Sequence, residues 1–202
     1  MDDTIIATKR LVVRYQRKSD IKFLVDLWMD EELTKYVGGP REKQFLIDEF
    51  RKTAEAPRAE EYDLWTVELK HSHELVGHAG FIPKEIKGKE YIELNYYIAR
   101  SAQGKGYATE VAKGLIEYAF GVKRLDRIIA IIHPENEASK AVAKAAGLKY
   151  WCNEERPSGV KSIYIIKAER QDDKISRIDG ESIGEHFGKV DLDIDLDALR
   201  NR

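Results

Sequence analysis

The sequence predicts an α/β fold: one mixed, mostly antiparallel central sheet with helices on both faces. Three observations carry that reading. Three strand-like segments follow one another across short turns between residues 62 and 99. Strand and helix periodicities then alternate over residues 107–168. Between these two stretches lies a glycine-rich turn, Gln103-Gly104-Lys105-Gly106, where a strand gives way to a helix.

The elements follow in order. Arg10–Gln16 (RLVVRYQ) holds a β-branched run. Ser19-Asp20 then offers an N-cap to a segment with Ile21, Leu24, Val25 and Trp28 at helical spacing. Tyr36-Val37-Gly38-Gly39-Pro40 breaks that helix, and Lys43–Ala54 resumes helical spacing through Phe45, Leu46 and Phe50, so two helices joined by a mobile loop are expected. Tyr62–Lys70, Glu74–Pro83 and Tyr91–Ala99 read as strands linked by His71-Ser72-His73 and Lys87-Gly88-Lys89, turns short enough for an antiparallel meander. Tyr107–Phe120 aligns Val111, Leu115, Ile116 and Ala119 on one helical face, and Leu125–Ile132 is an almost unbroken apolar strand. Asn136–Ala146 reads as an alanine-rich helix ending at Gly147, and Leu148–Cys152 and Ile163–Ala168 close the fold as strands. Strand–helix alternation in this second half implies parallel pairing with a right-handed crossover.

At 202 residues, the chain is long enough for one core and short of the size at which cores split. We expect a domain over residues 1–169 and an acidic extension over 170–202; from Glu169 to the end, ten acids face six bases. A single cysteine, Cys152, allows no internal disulfide, and the first ten residues lack a signal-peptide core, so a cytoplasmic location is expected. The net charge of −2 provides no general pull toward nucleic acid, and no stretch nears the roughly 18 apolar residues of a membrane span. Neither nucleic acid nor membrane is expected as a partner.

The glycine turn carries the functional argument. At the start of a helix, the first backbone N–H groups have no internal partner and the macrodipole is positive, so a pyrophosphate is stabilised there without basic side chains. Glycines let phosphate oxygens approach the backbone. A dinucleotide fingerprint would place a third glycine where Thr109 stands, and a P-loop would end in Gly-Lys-Ser/Thr; neither is present. As an isolated pair, Gly104 and Gly106 would read first as a plain tight turn, and it is their context that favours a phosphate site.

The hexapeptide Gln103-Gly104-Lys105-Gly106-Tyr107-Ala108, its continuation Thr109-Glu110, and Asn136-Glu137-Ala138-Ser139 downstream resemble the GNAT superfamily of acyltransferases. Its branch related to ribosomal-protein N-terminal acetyltransferases is the nearest in pattern, through Leu11–Arg14, Asp20, Val76-Gly77 with Gly80, Glu93–Tyr96, Tyr118-Ala119-Phe120 and Ala146-Gly147. The likeness spans about residues 10–168. The chain departs from that branch at Asn95, Ala102 and Leu148, positions that bear on acceptor choice. The resemblance implies acetyl-CoA as co-substrate, held by Gln103, Gly104, Lys105, Gly106, Tyr107 and Ala108, by backbone groups of Tyr97 and Ile98, and by Asn136. It further implies direct transfer to an amine, with Glu93 as base and Ser139 as proton donor to the leaving thiolate.

Other readings of these residues stay open. Glu93 could be a charge on a solvated strand face, and Asn136 and Ser139 ordinary capping residues. Cys152 reads as a buried structural thiol, His71, His73 and His78 as surface histidines, and Glu110 as a first-turn acid suited to the helix dipole. No metal set is apparent. The loop Asp30–Arg41, with Tyr36 as a substrate-binding candidate, is expected to help choose the acceptor: a protein N-terminus, an aminoglycoside, a polyamine or an amino acid. In the tail, Asp191–Asp197 alternates acid and aliphatic residues without the glycine and glutamate of a calcium loop, suggesting an edge strand or a segment that docks on a second copy in a homodimer, with a disordered tail as the alternative. The main alternative to an enzyme is a non-catalytic acetyl-CoA-binding regulatory module.

Overall fold

The structure, a computed structural model, describes residues 3–168. The expectations for the acidic extension and its Asp191–Asp197 alternation lie outside the described residues.

The elements run β1 (Thr4–Ala7), β2 (Leu11–Arg14), α1 (Ile21–Met29), α2 (Glu31–Thr34), α3 (Lys43–Glu55), β3 (Leu64–Leu69), β4 (Leu75–Ile86) and β5 (Lys89–Ile98). They continue with α4 (Tyr107–Gly121), β6 (Arg127–Ile132), α5 (Glu137–Ala145), β7 (Lys149–Arg156) and β8 (Gly159–Lys167). One eight-stranded sheet has the order β1-β2-β3-β4-β5-β6-β8-β7. β3 to β5 form the expected antiparallel meander, β2 pairs with β3, and β1 adds an edge strand that periodicity over four residues could not reveal.

Parallel pairing is narrower than the alternation implied. β5 and β6 are parallel and meet at one register pair, Glu93 with Ile129. β6 and β7, joined by α5, run the same way but are not neighbours, because β8 returns antiparallel between them. β7 and β8 are longer than expected, and their hairpin closes at Arg156 opposite Gly159. The polar run Asn153–Arg156 shows no alternation; pairing with β8 extends it.

Side-chain alternation sorts the two faces. Leu11, Val13, Trp65, Val67, Phe81 and Leu94 are buried together with Val111, Ala112, Leu115 and Ala119 of α4. α4 approaches β1 so closely that a Cβ on Gly114 would lie 2.9 Å from both Ile6 Cδ1 and Thr8 Cγ2. Leu24, Val25 and Leu27 of α1 pack against Leu46 and Phe50 of α3, with Tyr97 at their edge. Helices therefore cover both faces, as expected.

Beneath α1 and α3, the second sheet face holds a buried ion cluster. Arg14 donates to Glu68 at 2.7 Å and to both oxygens of Asp20 at 2.7 and 3.1 Å. Burial opposes ionisation of Asp20, but hydrogen bonds from Arg14, the Arg17 N–H and Thr66 outweigh it and hold its carboxyl below the usual range. Removing one member would leave an uncompensated buried charge, a loss of about 3–5 kcal/mol. His78 shares this face. It is buried rather than on the surface, and its Nδ1 accepts a 3.1 Å hydrogen bond from Trp28 Nε1. Cys152 is half-buried against the cluster of Ile86, Tyr91, Ile129 and Ile163.

Among the described residues, no helix is long and apolar enough to cross a membrane, and no three His, Cys, Asp or Glu side chains could jointly hold a metal ion.

Candidate active site

β5 and β6 part beyond the Glu93–Ile129 pair, and the site lies where they separate. The Ala99 N–H bonds to Val76 O of β4, so strand alternation sends the peptide groups of Tyr97 toward β4 and those of Tyr96 and Ile98 toward the gap. The carbonyl of Ile98 accepts from Gln103 Nε2 at 2.9 Å. Ile98 therefore presents its N–H to the gap, whereas Tyr97, named beside it from the sequence, can contribute only its side chain.

Gln103 leads into the glycine turn. Gly104 and Gly106 both occupy the left-handed region, at φ +75° and +79°, where other residues are strained. Nothing lies within 4 Å of a Cβ built on Gly104. Gly106 is the N-cap of α4 and gives the helix no side-chain cap, while the first helical bond runs from Glu110 N to Gly106 O. The N–H groups of Tyr107, Ala108 and Thr109 thus have no partner within the helix. The turn is fixed from behind: Arg10 donates to Lys105 O at 2.9 Å and to Glu110 Oε2 at 2.6 Å, and lies 4.6 Å from the Tyr107 ring centre. Glu110 also accepts from Thr8 Oγ1 and the Arg10 N–H, each at 2.7 Å. Although burial pushes its carboxyl up, these donors hold it below the usual range. Its role is the structural one expected.

A cavity of about 770 Å³ runs from this turn along the end of β5 to the start of α5. It brings together Ile98, Gln103, Gly104, Gly106, Tyr107, Ala108, Asn136, Ser139, Tyr36 and Tyr97, all named from the sequence. Lys105 does not line it; the carbonyl of this exposed residue is held by Arg10. Asn136 caps α5, its Oδ1 accepting from the Ser139 N–H at 3.0 Å. The Tyr96 hydroxyl donates to Ser139 O at 3.0 Å and fixes that turn against β5.

Glu93 borders a second cavity, of about 330 Å³, on the other side of the gap. Tyr36, Val37, Tyr96, Tyr97, Asn136 and Ser139 line both cavities, so the two meet there. Glu93, Asn95 and Tyr97 share one face of β5, and the Tyr97 hydroxyl donates to Asn95 Oδ1 at 3.2 Å. Glu93 is only 7% exposed. Burial pushes its carboxyl up, partly opposed by Lys84, the Asn95 side chain, the Ile131 N–H and Arg156. Its surroundings are those of a buried acid, not of a solvated strand charge. Tyr36 stacks on His133 with ring centres 5.0 Å apart, which fixes the loop after α2 at the junction.

An unpaired strand edge ending at a glycine-capped helix, with the buried Glu93 carboxyl on the same strand, makes this the candidate active site. The domain family described as Acetyltransferase (GNAT) domain matches residues 10–149, and the chain belongs to this family of N-acetyltransferases, whose co-substrate is acetyl-CoA. The uncharacterized N-acetyltransferase p20 of Bacillus licheniformis is 32% identical over 142 residues, 65% of this chain and 75% of the relative. A GNAT-family acetyltransferase structure from Bacillus anthracis superposes with a TM-score of 0.68 at 24% identity, covering 80% of this chain and 97% of that one. RimL, a ribosomal L7/L12 alpha-N-protein acetyltransferase solved with coenzyme A, gives 0.68 at 15% identity, covering 81% and 97%.

The cavity-lining residues Arg100 and Lys35 were not singled out from the sequence. Arg100 is oriented by Asp30, its Nε 2.6 Å from Oδ2. Nothing in the sequence brings Asp30 and Arg100 together, since only the fold sets the end of α1 beside the end of β5.

Proposed function

We propose that this chain transfers the acetyl group of acetyl-CoA directly to a primary amine, a protein N-terminus or a small-molecule amine. The observation that carries this reading is the meeting of the two cavities at Tyr36, Tyr97, Asn136 and Ser139, one leading to the glycine turn and the other to Glu93. The open left-handed glycines and uncapped start of α4 suit a pyrophosphate, and a cavity of about 770 Å³ suits a cofactor arm laid along β5.

In this reading the raised Glu93 carboxyl takes the proton from the acceptor ammonium, directly or through water. The Ile98 N–H donates to the carbonyl under attack. As the C–N bond forms and the C–S bond breaks, the Ser139 hydroxyl gives its proton to the departing sulfur and is reprotonated, directly or through water, by the second proton that the acylated nitrogen releases. Residues 1–169 carry these functions, and residues 170–202 are dispensable for cofactor binding.

Calorimetry with acetyl-CoA and an assay of amine-dependent thiol release test the proposal. Gly106→Glu puts a side chain and a negative charge where the pyrophosphate belongs, and should weaken binding at least about tenfold. A folded variant with unchanged affinity would place the cofactor elsewhere. Tight acetyl-CoA binding with no thiol release to any amine would favour a non-catalytic binding module.

A further inference from the structure

The second cavity has a marked charge pattern. Its floor holds one carboxylate, the buried Glu93, and its rim four cationic side chains: Arg41 from the loop before α3, Lys84 of β4, Arg156 of β7 and Lys161 of β8. Lys84, Arg156 and Lys161 are half-buried and Arg41 is exposed. Arg156 is partly neutralised, since its Nε lies 2.9 Å from Glu154 Oε2 and its Nη2 donates to Glu85 O. Glu154 stands opposite Lys161 in the β7–β8 register but spends its second oxygen on the Lys87 N–H. Lys84 and Arg156 both act on Glu93 across the cavity. Among the described residues, Glu93 is the only acid lining it.

We infer that the acceptor is zwitterionic: a primary amine that carries its own carboxylate, the amine directed to Glu93 and the carboxylate to Lys84, Lys161 and Arg41. This rests on the transferase reading for its chemistry but makes a separate claim about binding. A polyamine or aminoglycoside would bring surplus positive charges against the same rim, and like charges held this close in a half-buried cavity repel strongly. Trp28, Tyr36 and Tyr97 also line the cavity and offer aromatic surface suited to the aliphatic part of such an acceptor.

The test uses the full chain and five defined amines: Ala-Glu amide, Ala-Gln amide and Ala-Lys amide, which share one free α-amine, together with free glutamate and spermidine. Binding is read by calorimetry with and without coenzyme A, and transfer by thiol release. Ala-Glu amide or free glutamate should bind about tenfold more tightly than Ala-Lys amide, with the margin shrinking as salt rises. Selection of free glutamate alone would identify the α-carboxylate as the recognised group, and selection of Ala-Glu amide a side-chain carboxylate. In the double variant Lys84→Glu, Lys161→Glu the order should reverse, with acetyl-CoA affinity reporting that the fold is intact. Equal or tighter binding of Ala-Lys amide or spermidine to the unaltered chain would overturn the inference and leave the transferase reading standing. Carboxylate-selective binding without thiol release would do the opposite.

Discussion

Glu93 combines two demands that pull apart. Its burial raises the pKa, which makes its carboxylate a stronger base than a surface one, and its contacts with Asn95 and the Ile131 N–H tie it into the structure. Because the folded pKa lies above the unfolded value, the folded state binds this proton more tightly. Ionised Glu93 therefore weakens the fold, and that cost is relieved as pH falls through the folded pKa. Glu93→Gln should lower kcat by about 10²- to 10⁴-fold with acetyl-CoA affinity nearly unchanged, and should abolish the acidic limb of the pH–rate profile. The same variant should be no less stable than the parent above neutral pH, as read by urea denaturation. Wild-type kcat with an unaltered limb would make Glu93 a structural residue and assign the proton to another group.

At the scale of the element, the N-terminus of α4 is held by what lies behind it. Glu110 joins that helix to the β1–β2 turn through Thr8 and Arg10, and Arg10 in turn holds the Lys105 carbonyl. Glu110→Ala should destabilise the protein by about 1–3 kcal/mol and weaken acetyl-CoA binding, although no cofactor contact is removed. Unchanged affinity, with a melting temperature lowered or not, would show that the turn keeps its geometry unaided. The strand–glycine–helix signal was legible in the sequence because local geometry dictates it: left-handed glycines and an uncapped helix start need no distant partner. Thr8 and Arg10 were not legible, since their bonds to Glu110 span about a hundred residues. For the same reason, Arg14 in the apolar run LVVR and Glu68 in YDLWTVELK showed no sign of pairing. Alternation puts them on one sheet face, but only register brings Arg14 opposite Thr66 and within reach of Glu68. Tyr97 was misread in a similar way, because which peptide groups face the gap depends on the β4 pairing.

Across the whole molecule, the order of helices and strands could be read from periodicity, whereas the insertion of β8 between β6 and β7 is a tertiary choice. Stability carries a signature of His78. Burial pushes its imidazole down to about 4, against about 6.5 when unfolded. Between those values the unfolded chain binds a proton that the folded chain refuses, so stability is full above pH 6.5 and is lost as pH falls toward 4. The loss approaches about 3 kcal/mol. Urea midpoints measured from pH 7.5 to 4.5 should fall over this window, and His78→Phe should flatten the slope. An identical slope in that variant would assign the acid sensitivity elsewhere.

Among the described residues, the single Glu93–Ile129 bridge is all the backbone register that joins β1–β5 to the β6-β8-β7 group. Each group is internally laddered over many residues, so the line between them is where the sheet parts at least cost. Native-state hydrogen exchange should find the amides along that line opening before those within either ladder. The candidate active site sits on this line, with β5 and α4 on one side and β6 and α5 on the other. A bound coenzyme reaching from the glycine turn to Ser139 would act as a stitch across the sheet, and saturating it should slow exchange on both banks at once. Catalysis and cohesion would then draw on the same few hydrogen bonds, and the unliganded protein would be the looser of its two states.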